Sequence, residues 1–238
     1  PIEAIELWDS IITRLAMDYK MPLFVVSGNH DGAERLEVGR SMLGQSGIHI
    51  WGSPHHALRP FEFESSDGRV AICPMPFSEP RRIGDALGLN SSESKPVDTD
   101  TAEDTLFSYV DDKAQEAVAL NLYNYDQMYQ AWSDYLYKQV PKRMRSIAIS
   151  HAFVMGGEVG GSERTLSVGG SEQVSPHVFK DFHYTALGHL HGPQRMGADY
   201  IRYSGSPLKY SFDEHMQKKS FTIIDMDTKG NVDIGTIP

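Results

Sequence analysis

Short apolar runs alternate with amphipathic stretches along most of the chain, a pattern that predicts strands interleaved with helices. The predicted strands cover residues 23–27, 48–51, 70–73, 147–150, 184–187, 200–204, 221–227 and 232–237. The predicted helices cover residues 2–16, 33–43 and 105–139. In the first helix, six apolar residues share one face: Ile2, Ile5, Trp8, Ile12, Leu15 and Ala16. This alternation of elements predicts an α/β fold.

Residues 84–103 interrupt the pattern because they are rich in Gly, Asn, Ser, Pro, Asp and Thr and poor in apolar positions. Such a composition predicts a surface loop or a disordered insert. Together with the helical stretch that follows it, this segment forms an excursion at about residues 84–142. We therefore expect one domain over residues 1–238, built on one core sheet system, from which the excursion departs.

The composition excludes several classes of protein. With 40% hydrophobic and 23% charged residues, the chain resembles ordinary folded domains. Its net charge of -10 argues against a uniformly basic nucleic-acid surface, although a local basic groove remains compatible with it. Cys73 is the single cysteine, which excludes an internal disulfide framework and fits a reducing cytoplasm. No apolar run approaches the ~18 residues that a membrane span requires, so we expect a cytoplasmic protein without membrane association.

Four of the ten histidines directly follow short apolar strands. The three segments concerned are Val25-Val-Ser-Gly-Asn-His-Asp31, Ile147-Ala-Ile-Ser-His151 and Ala186-Leu-Gly-His-Leu-His191. Ligand sites of α/β sheets lie beyond the carboxyl ends of the strands. We therefore expect one shared site formed by Asn29, His30, His151, His189 and His191. Imidazole nitrogens combined with an amide oxygen suit a first-row divalent metal ion.

The alternative interpretation is that each histidine is an isolated residue at a strand end, satisfied by hydrogen bonds. That interpretation suits the other six histidines, which share no pattern and are typical of surface or capping positions: His49, His55, His56, His177, His183 and His215. The repeated order of strand and then ligand in three segments favours a metal site. Gly28 and Gly188 precede the candidate ligands and fit sharp turns where the backbone approaches the site closely.

Three of these segments resemble signature blocks of the calcineurin-like metallophosphoesterases. Gly28-Asn-His-Asp31 is similar to the third block, Ser150-His151 to the fourth and Gly188-His-Leu-His191 to the fifth. Within that superfamily the chain resembles the nuclease subunits of bacterial DNA-repair complexes. Further stretches carry this resemblance: Cys73-Pro-Met-Pro-Phe77, Tyr203-Ser-Gly-Ser-Pro207 and Ser211-Phe-Asp-Glu214. The resemblance implies a sandwich of two β-sheets flanked by helices.

The resemblance also implies a role for each candidate residue. It assigns Asn29, His151 and His189 to one metal ion and His191 to a second. The ions are expected to be manganese, with magnesium as an alternative, and to hydrolyse phosphodiester bonds. His30 resembles the family's catalytic histidine at the leaving group, and Asp31 is a candidate to orient its imidazole. The implied activity is that of an ATP-dependent double-strand DNA exonuclease and single-strand endonuclease.

The first two blocks of the family, Asp-x-His and Gly-Asp, have no match in this sequence. Asp181-Phe-His183 precedes its strand, Asp213-Glu-His215 lies in a predicted loop, and Gly84-Asp85 follows no apolar strand. We therefore expect a central piece of such a nuclease, truncated at its N-terminus and without the C-terminal helical capping domain. Because it would hold about half of a dinuclear site, we expect this chain to be inactive by itself.

The resemblance implies DNA, an ATPase subunit and a second copy of the chain as partners, arranged as a homodimer within a heterotetramer. Candidate contacts between the copies are Ile2, Leu7, Ile11, Leu36 and Met42, although packing in the core explains them equally well. Residues that contact DNA cannot be singled out from the sequence. Seven basic residues are candidates for contacts with phosphates, and the alternative is that they form solvated surface: Arg35, Arg40, Arg81, Arg82, Arg195, Arg202 and Lys209.

Two other classes of function stay open. A different metallophosphoesterase, acting on phosphomonoesters, cyclic nucleotides or phosphoproteins, would share the three blocks but not the Cys73–Phe77 and Tyr203–Pro207 stretches. A scaffold without catalytic activity, which assembles with an ATPase, would genuinely lack the two early blocks. Assays of the intact protein with DNA and with p-nitrophenyl phosphate distinguish the first class from a DNA nuclease. The coding sequence upstream of Pro1 distinguishes a scaffold from a nuclease, because a nuclease would carry the two early blocks there.

Overall fold

A computed structural model describes residues 2–89, 124–160 and 172–238. Strands and helices alternate in these residues, which confirms the α/β class. The strands are β1 (Leu23–Val26), β2 (Ile48–Trp51), β3 (Phe61–Ser65), β4 (Gly68–Met75), β5 (Arg145–His151), β6 (Phe153–Val154), β7 (Gln173–Val174), β8 (Tyr184–Gly188), β9 (Gln194–Met196), β10 (Ala198–Tyr203), β11 (Phe221–Met226) and β12 (Val232–Ile237). The α-helices are α1 (Ile2–Thr13), α2 (Ala33–Leu36), α3 (Arg40–Gln45), α4 (Pro80–Ala86) and α5 (Tyr125–Tyr137). A π-helical turn (Arg14–Asp18) continues α1, and 3-10 turns cover Pro54–His56, Pro176–Phe179 and Phe212–Met216.

A six-stranded mixed sheet in the order β3-β4-β5-β8-β10-β9 forms the centre of the described residues. Strands β4, β5, β8 and β10 run parallel, whereas β3 and β9 pair antiparallel with their neighbours. Parallel neighbours end at the same edge of a sheet, and the register places His151 opposite Gly188. The smaller parallel pair β1–β2 joins this edge because the Phe77 N–H donates to the Ser27 carbonyl at 2.9 Å. The carboxyl ends of β1, β4, β5 and β8 therefore meet.

The main core lies between the central sheet and α5. Tyr129, Trp132 and Leu136 of α5 are fully buried, and the Trp132 indole N–H donates to the Ala57 carbonyl at 3.0 Å. The helix begins with a capping box, in which the Asn124 side chain accepts from the backbone N–H of Gln127 at 2.8 Å. The packing of α5 against the sheet holds the strand ends in place.

Several predicted boundaries differ from the structure. The helix predicted over 33–43 is split into α2 and α3 because Gly39 between them adopts a φ of 76°, in the left-handed region. Strand β3, with its alternating Phe-Glu-Phe-Glu sequence, was not predicted. Helix α4 extends to Ala86, into the predicted loop. The predictions that fall on residues 90–123 lie outside the described residues.

The N-terminal part of the apolar face predicted for the first helix does not pack into the described core. Ile2 and Ile5 remain 71% and 68% exposed. The π-helical continuation packs instead, through Ala16, against Ile48 and Ile50 of β2. No helix in the part of the chain that the structure describes combines the length and apolar character needed to cross a membrane. Besides the six-stranded sheet, the described residues contain two-stranded sheets (β1–β2, β6–β7 and β11–β12), so the two-sheet sandwich stays a prediction.

The buried side chain of Arg145 ties three distant elements together at the start of β5. Its guanidinium donates to Ser65 Oγ and to the Asp67 and Gly68 carbonyls in the β3–β4 turn, at 3.0, 3.0 and 2.8 Å. It also donates to the carbonyl of Met226 at 3.2 Å, at the end of β11. Since hydrogen bonds from a charged donor in a buried setting are strong, Arg145 fixes the β3–β4 turn and the end of β11 to the start of β5.

We expect replacement of Arg145 by methionine to lower the free energy of unfolding by about 2–4 kcal/mol, because several buried carbonyl oxygens lose their donor. Urea denaturation measures this change. Arg69→Met is the matched control, because the Arg69–Glu62 ion pair is solvent-exposed and worth about 0–1 kcal/mol. Equal losses in the two variants would contradict the role of Arg145 as a buried tie.

Candidate metal centre

The candidate residues gather in one cleft of about 460 Å³ at the carboxyl ends of the strands. The cleft is lined by Asn29, His30, His151, Gly188, His189, Leu190, His191, Gly205, Ser206 and Tyr210. The five residues predicted to form one site are thus brought together. Three separate strand ends and the loop after β10 supply the lining, so the cleft exists only when these elements are folded against one another.

Three of the five side chains are in contact through His151, which touches both Asn29 and His189. His151 Nε2 lies 3.0 Å from Asn29 Oδ1 and 3.3 Å from His189 Nδ1. Ligands bound at about 2.1 Å to one ion lie roughly 3.0–3.4 Å from each other, so these donor separations fit a first-row divalent metal. Within the described ranges, no group of three or more His, Cys, Asp or Glu side chains is placed to hold a metal. The set that fits combines two imidazoles with an amide oxygen.

The imidazole of His151 occupies a space that two glycines leave open. A Cβ at Gly28 would lie 2.6 Å from His151 Cε1, and a Cβ at Gly188 would lie 3.0 Å from His151 Nδ1. Phe77 presents its ring edge-on to the imidazole, with 6.2 Å between the ring centroids. Tyr129 Oη donates to the His151 carbonyl at 3.2 Å. The backbone at Gly28 and the backbone at Gly188 therefore hold the His151 ring from two sides. This agrees with the prediction that both glycines lie close to the site.

Burial is the main cause that lowers the pKa of His151, to about 3, and the nearby rings of His189 and His30 lower it further. The imidazole is therefore neutral at physiological pH. A neutral imidazole is the form that binds metal ions, since the ligating nitrogen must carry a lone pair. The electrostatics of the cleft thus agree with the geometry of the donors.

His189 has a backbone φ of 123°, a conformation that residues other than glycine rarely adopt. Such a backbone costs about 1–3 kcal/mol and is found mostly at functional sites. A glycine at this position would relieve the strain but would supply no donor to the cleft. A strained backbone at His189 fits the predicted role of its side chain in the site, and that role stays a prediction.

His30 and Asp31 lie in the turn after β1, next to Asn29. His30 lines the cleft, whereas the Asp31 carboxylate accepts from the Gly28 backbone N–H at 2.7 Å. Asp31 thus braces the turn that carries both Asn29 and His30. Orientation of the His30 imidazole by Asp31 stays a prediction.

Sequence reasoning missed a carboxylate that is buried behind this cleft, in contact with His191. Glu214, in the 3-10 turn Phe212–Met216, is fully buried, and its Oε1 lies 2.9 Å from His191 Nδ1. The sequence contains a signal, because Glu214 closes the Ser211-Phe-Asp-Glu214 stretch. Its position in a loop, within Asp213-Glu-His215, gives no reason to place it beside a strand-end histidine. The loop folds back onto the site, which the local sequence does not reveal.

The other histidines make contacts that suit the structural interpretation. His49 stacks on Phe24, His56 pairs with Glu37, and His183 contacts Ser146. Several candidate DNA-binding residues contact neighbouring surface groups. These pairs are Arg82 with Glu34, Arg195 with Asp199, Arg202 with the Asp199 carbonyl, and Lys209 with the His215 carbonyl. The contacts of these four basic residues therefore suit the interpretation that they form solvated surface.

An α/β sheet that gathers imidazole and amide groups in an open cleft at its strand ends defines a candidate metal-binding site. No family model matches the chain. It is similar to proteins that are named as the SbcD component of the nuclease SbcCD. It is 29% identical over 225 residues to that of Staphylococcus epidermidis, and 30% identical over 233 residues to that of Bacillus subtilis. A third protein of this name, from Staphylococcus saprophyticus, is 29% identical over 224 residues.

Each of these similarities covers 94% of the chain but 50–52% of the relative, so the chain spans about half the length of the curated relatives it matches. The resemblance to nuclease subunits of bacterial DNA-repair complexes is thereby confirmed. The chain is thus similar to SbcD proteins along 94% of its length.

We expect Gly28→Ala to lower the affinity of the chain for Mn²⁺ at least about tenfold, because the added methyl group would displace the His151 ring. Isothermal titration calorimetry with manganese chloride measures the affinity. Gly235→Ala is the matched control, because a Cβ there meets no atom within 4 Å. An unchanged affinity in a correctly folded Gly28→Ala protein would show that the position of His151 does not matter for metal binding.

Proposed function

We propose that this chain is part of the nuclease domain of an SbcD-type protein, and that the whole protein hydrolyses DNA phosphodiester bonds with divalent metal ions. The observation that supports the proposal is the contact of His151 Nε2 with Asn29 Oδ1 at 3.0 Å and with His189 Nδ1 at 3.3 Å. The chain that makes these contacts is similar to SbcD proteins. In the whole protein the activity is that of an ATP-dependent double-strand exonuclease and single-strand endonuclease that processes double-strand breaks and hairpins. The sheets then form the calcineurin-like sandwich.

Asn29, His151 and His189 hold one ion in this proposal, and His191 is a ligand of a second. Manganese is the expected metal and magnesium the alternative, because the donors are oxygen and imidazole nitrogen. When bound, such a pair of ions supplies an activated hydroxide and neutralises the phosphate oxygens.

The chain's own residues position the substrate and move the proton. His30 lines the cleft beside Asn29, where its imidazole can protonate the leaving 3′ oxygen of the cleaved strand. Asp31 holds the turn through the Gly28 N–H, which keeps His30 and Asn29 in a fixed relation. The neutral imidazole of His151 carries no positive charge that would repel a cation.

The proposed partners are DNA, an SbcC-type ATPase and a second copy of the chain, in a heterotetramer built on a homodimer, in the cytoplasm. Helix α1 supports the homodimer because Ile2, Leu7 and Ile11 are exposed, as is Met42 of α3. Leu36 is partly buried against the small core around Ile48, so it contributes less. With a net charge of -10, DNA affinity must come from local contacts and from the ATPase.

A scaffold without catalytic activity is the second candidate function. It is favoured by one observation: the described residues contain no group of three or more His, Cys, Asp or Glu side chains placed to hold a metal ion. Nuclease activity of the full gene product on a DNA hairpin, dependent on Mn²⁺, would exclude it. Hydrolysis of p-nitrophenyl phosphate without cleavage of DNA would instead favour a phosphomonoesterase.

In the full product of the gene, we expect His30→Ala to abolish DNA cleavage, with at least about a 100-fold loss of rate, while Mn²⁺ affinity changes little. The reason is that His30 is assigned to the leaving group and not to an ion. His189→Ala is the comparison, since it should lose both cleavage and metal. Loss of metal in His30→Ala equal to that in His189→Ala would show that the assignment is wrong.

We expect the 238-residue chain by itself to show no appreciable nuclease activity. One ion would keep three side chains but the other only His191, and two cations without a bridging carboxylate repel each other. Labelled linear DNA and Mn²⁺ are incubated with the chain and, in parallel, with the full gene product. Comparable turnover by the two proteins, after removal of any longer contaminant, would refute this argument.

A further inference from the structure

The loop between β10 and β11 carries a buried charged network that reaches the candidate metal centre. Glu214 is fully buried, and its two carboxylate oxygens have different partners. Oε1 lies 2.9 Å from His191 Nδ1, whereas Oε2 lies 2.7 Å from Lys219 Nζ and accepts from the Tyr210 backbone N–H at 3.2 Å. A carboxylate at this depth is costly unless both oxygens are paired, and here both are.

Lys219 ties this carboxylate to the backbone around His191. Its ammonium group donates to the His191 carbonyl at 2.9 Å and to Ser206 Oγ at 2.8 Å. The Ser206 backbone N–H donates to the same His191 carbonyl at 3.0 Å. One network therefore holds both the backbone and the ring of His191.

An ion pair that served stability alone would not need an oxygen directed at an imidazole. Buried ion pairs can often be replaced by apolar residues without loss of stability, so their presence is weak evidence for a stabilising role. A carboxylate that accepts from one ring nitrogen of histidine fixes the tautomer and directs the other nitrogen outward. His191 lines the cleft, so the nitrogen directed toward the cleft is Nε2.

We propose that Glu214 is a positioning residue, which holds His191 in the Nδ1–H tautomer so that Nε2 is the atom presented to a metal ion, and that Lys219 holds the Glu214 carboxylate in place. This inference rests on the proposed function in so far as His191 is a ligand. The tautomer itself is a property of the metal-free chain.

Two double variants separate positioning from stability. Glu214→Leu with Lys219→Met removes the charges and the carboxylate oxygen that His191 Nδ1 contacts. Glu214→Gln with Lys219→Met removes the same charges but keeps an amide oxygen as acceptor. The two proteins thus differ mainly in the group that faces His191 Nδ1.

Long-range ¹H–¹⁵N NMR of the metal-free chain at about pH 8 reports which ring nitrogen of His191 carries the proton. The His191→Gln variant assigns the signal. We expect the Nδ1–H form in the wild type and in the glutamine double variant, and a mixture or the Nε2–H form in the leucine double variant. We also expect Mn²⁺ affinity to fall about 10–100-fold in the leucine variant and clearly less in the glutamine variant.

The Nε2–H form in the wild-type chain would overturn the proposal, and this measurement requires no variant to fold. Indistinguishable tautomers and affinities in the two double variants would also overturn it, because only the acceptor differs between them. If the wild-type chain shows the Nδ1–H form but binds no Mn²⁺, the positioning by Glu214 holds and the proposed metal function fails.

Discussion

The side chain of His151 fits between two backbone segments so closely that a Cβ on either segment would crowd the imidazole. Gly28, after β1, and Gly188, at the end of β8, both approach the imidazole more closely than an ordinary Cβ contact allows. This packing sets the relative positions of β1, β5 and β8 at their carboxyl ends. Asn29 and His189 directly follow the two glycines, so the same fit that seats the ring also brings three donor atoms together.

The cleft has two halves of different construction. One half comes from strand ends in a hydrogen-bonded sheet, where backbone pairing and the core under α5 hold the donors. The other half comes from the irregular segment after β10. There the buried charges of Glu214 and Lys219 hold His191 in place without backbone pairing between strands. Sheet geometry thus fixes the side chains at the strand ends. Buried ion pairs fix His191, where no regular strand pairing is present.

The sequence predicts the first half well and the second half poorly. Asn29, His151 and His189 each follow an apolar strand, so their convergence follows from parallel strand order alone. The contact of Glu214 with His191 depends on a chain reversal between residues 204 and 219, which no local pattern encodes. Gly39 is a similar case on a smaller scale, because periodicity across 33–43 cannot show that one glycine adopts a left-handed backbone. Periodicity likewise identifies the apolar face of α1 but does not say what covers it.

Arg145 has a consequence for the order in which the chain folds. Its partners are 77–82 residues away along the chain, some before it and some after it. During synthesis, β5 emerges long before the β11–β12 hairpin exists, so the guanidinium can reach the upstream turn but not the downstream carbonyls. Burial of this charge is therefore completed late, and contacts of such long range slow folding because the loops must close first. The central sheet reaches its final packing when the β11–β12 hairpin arrives.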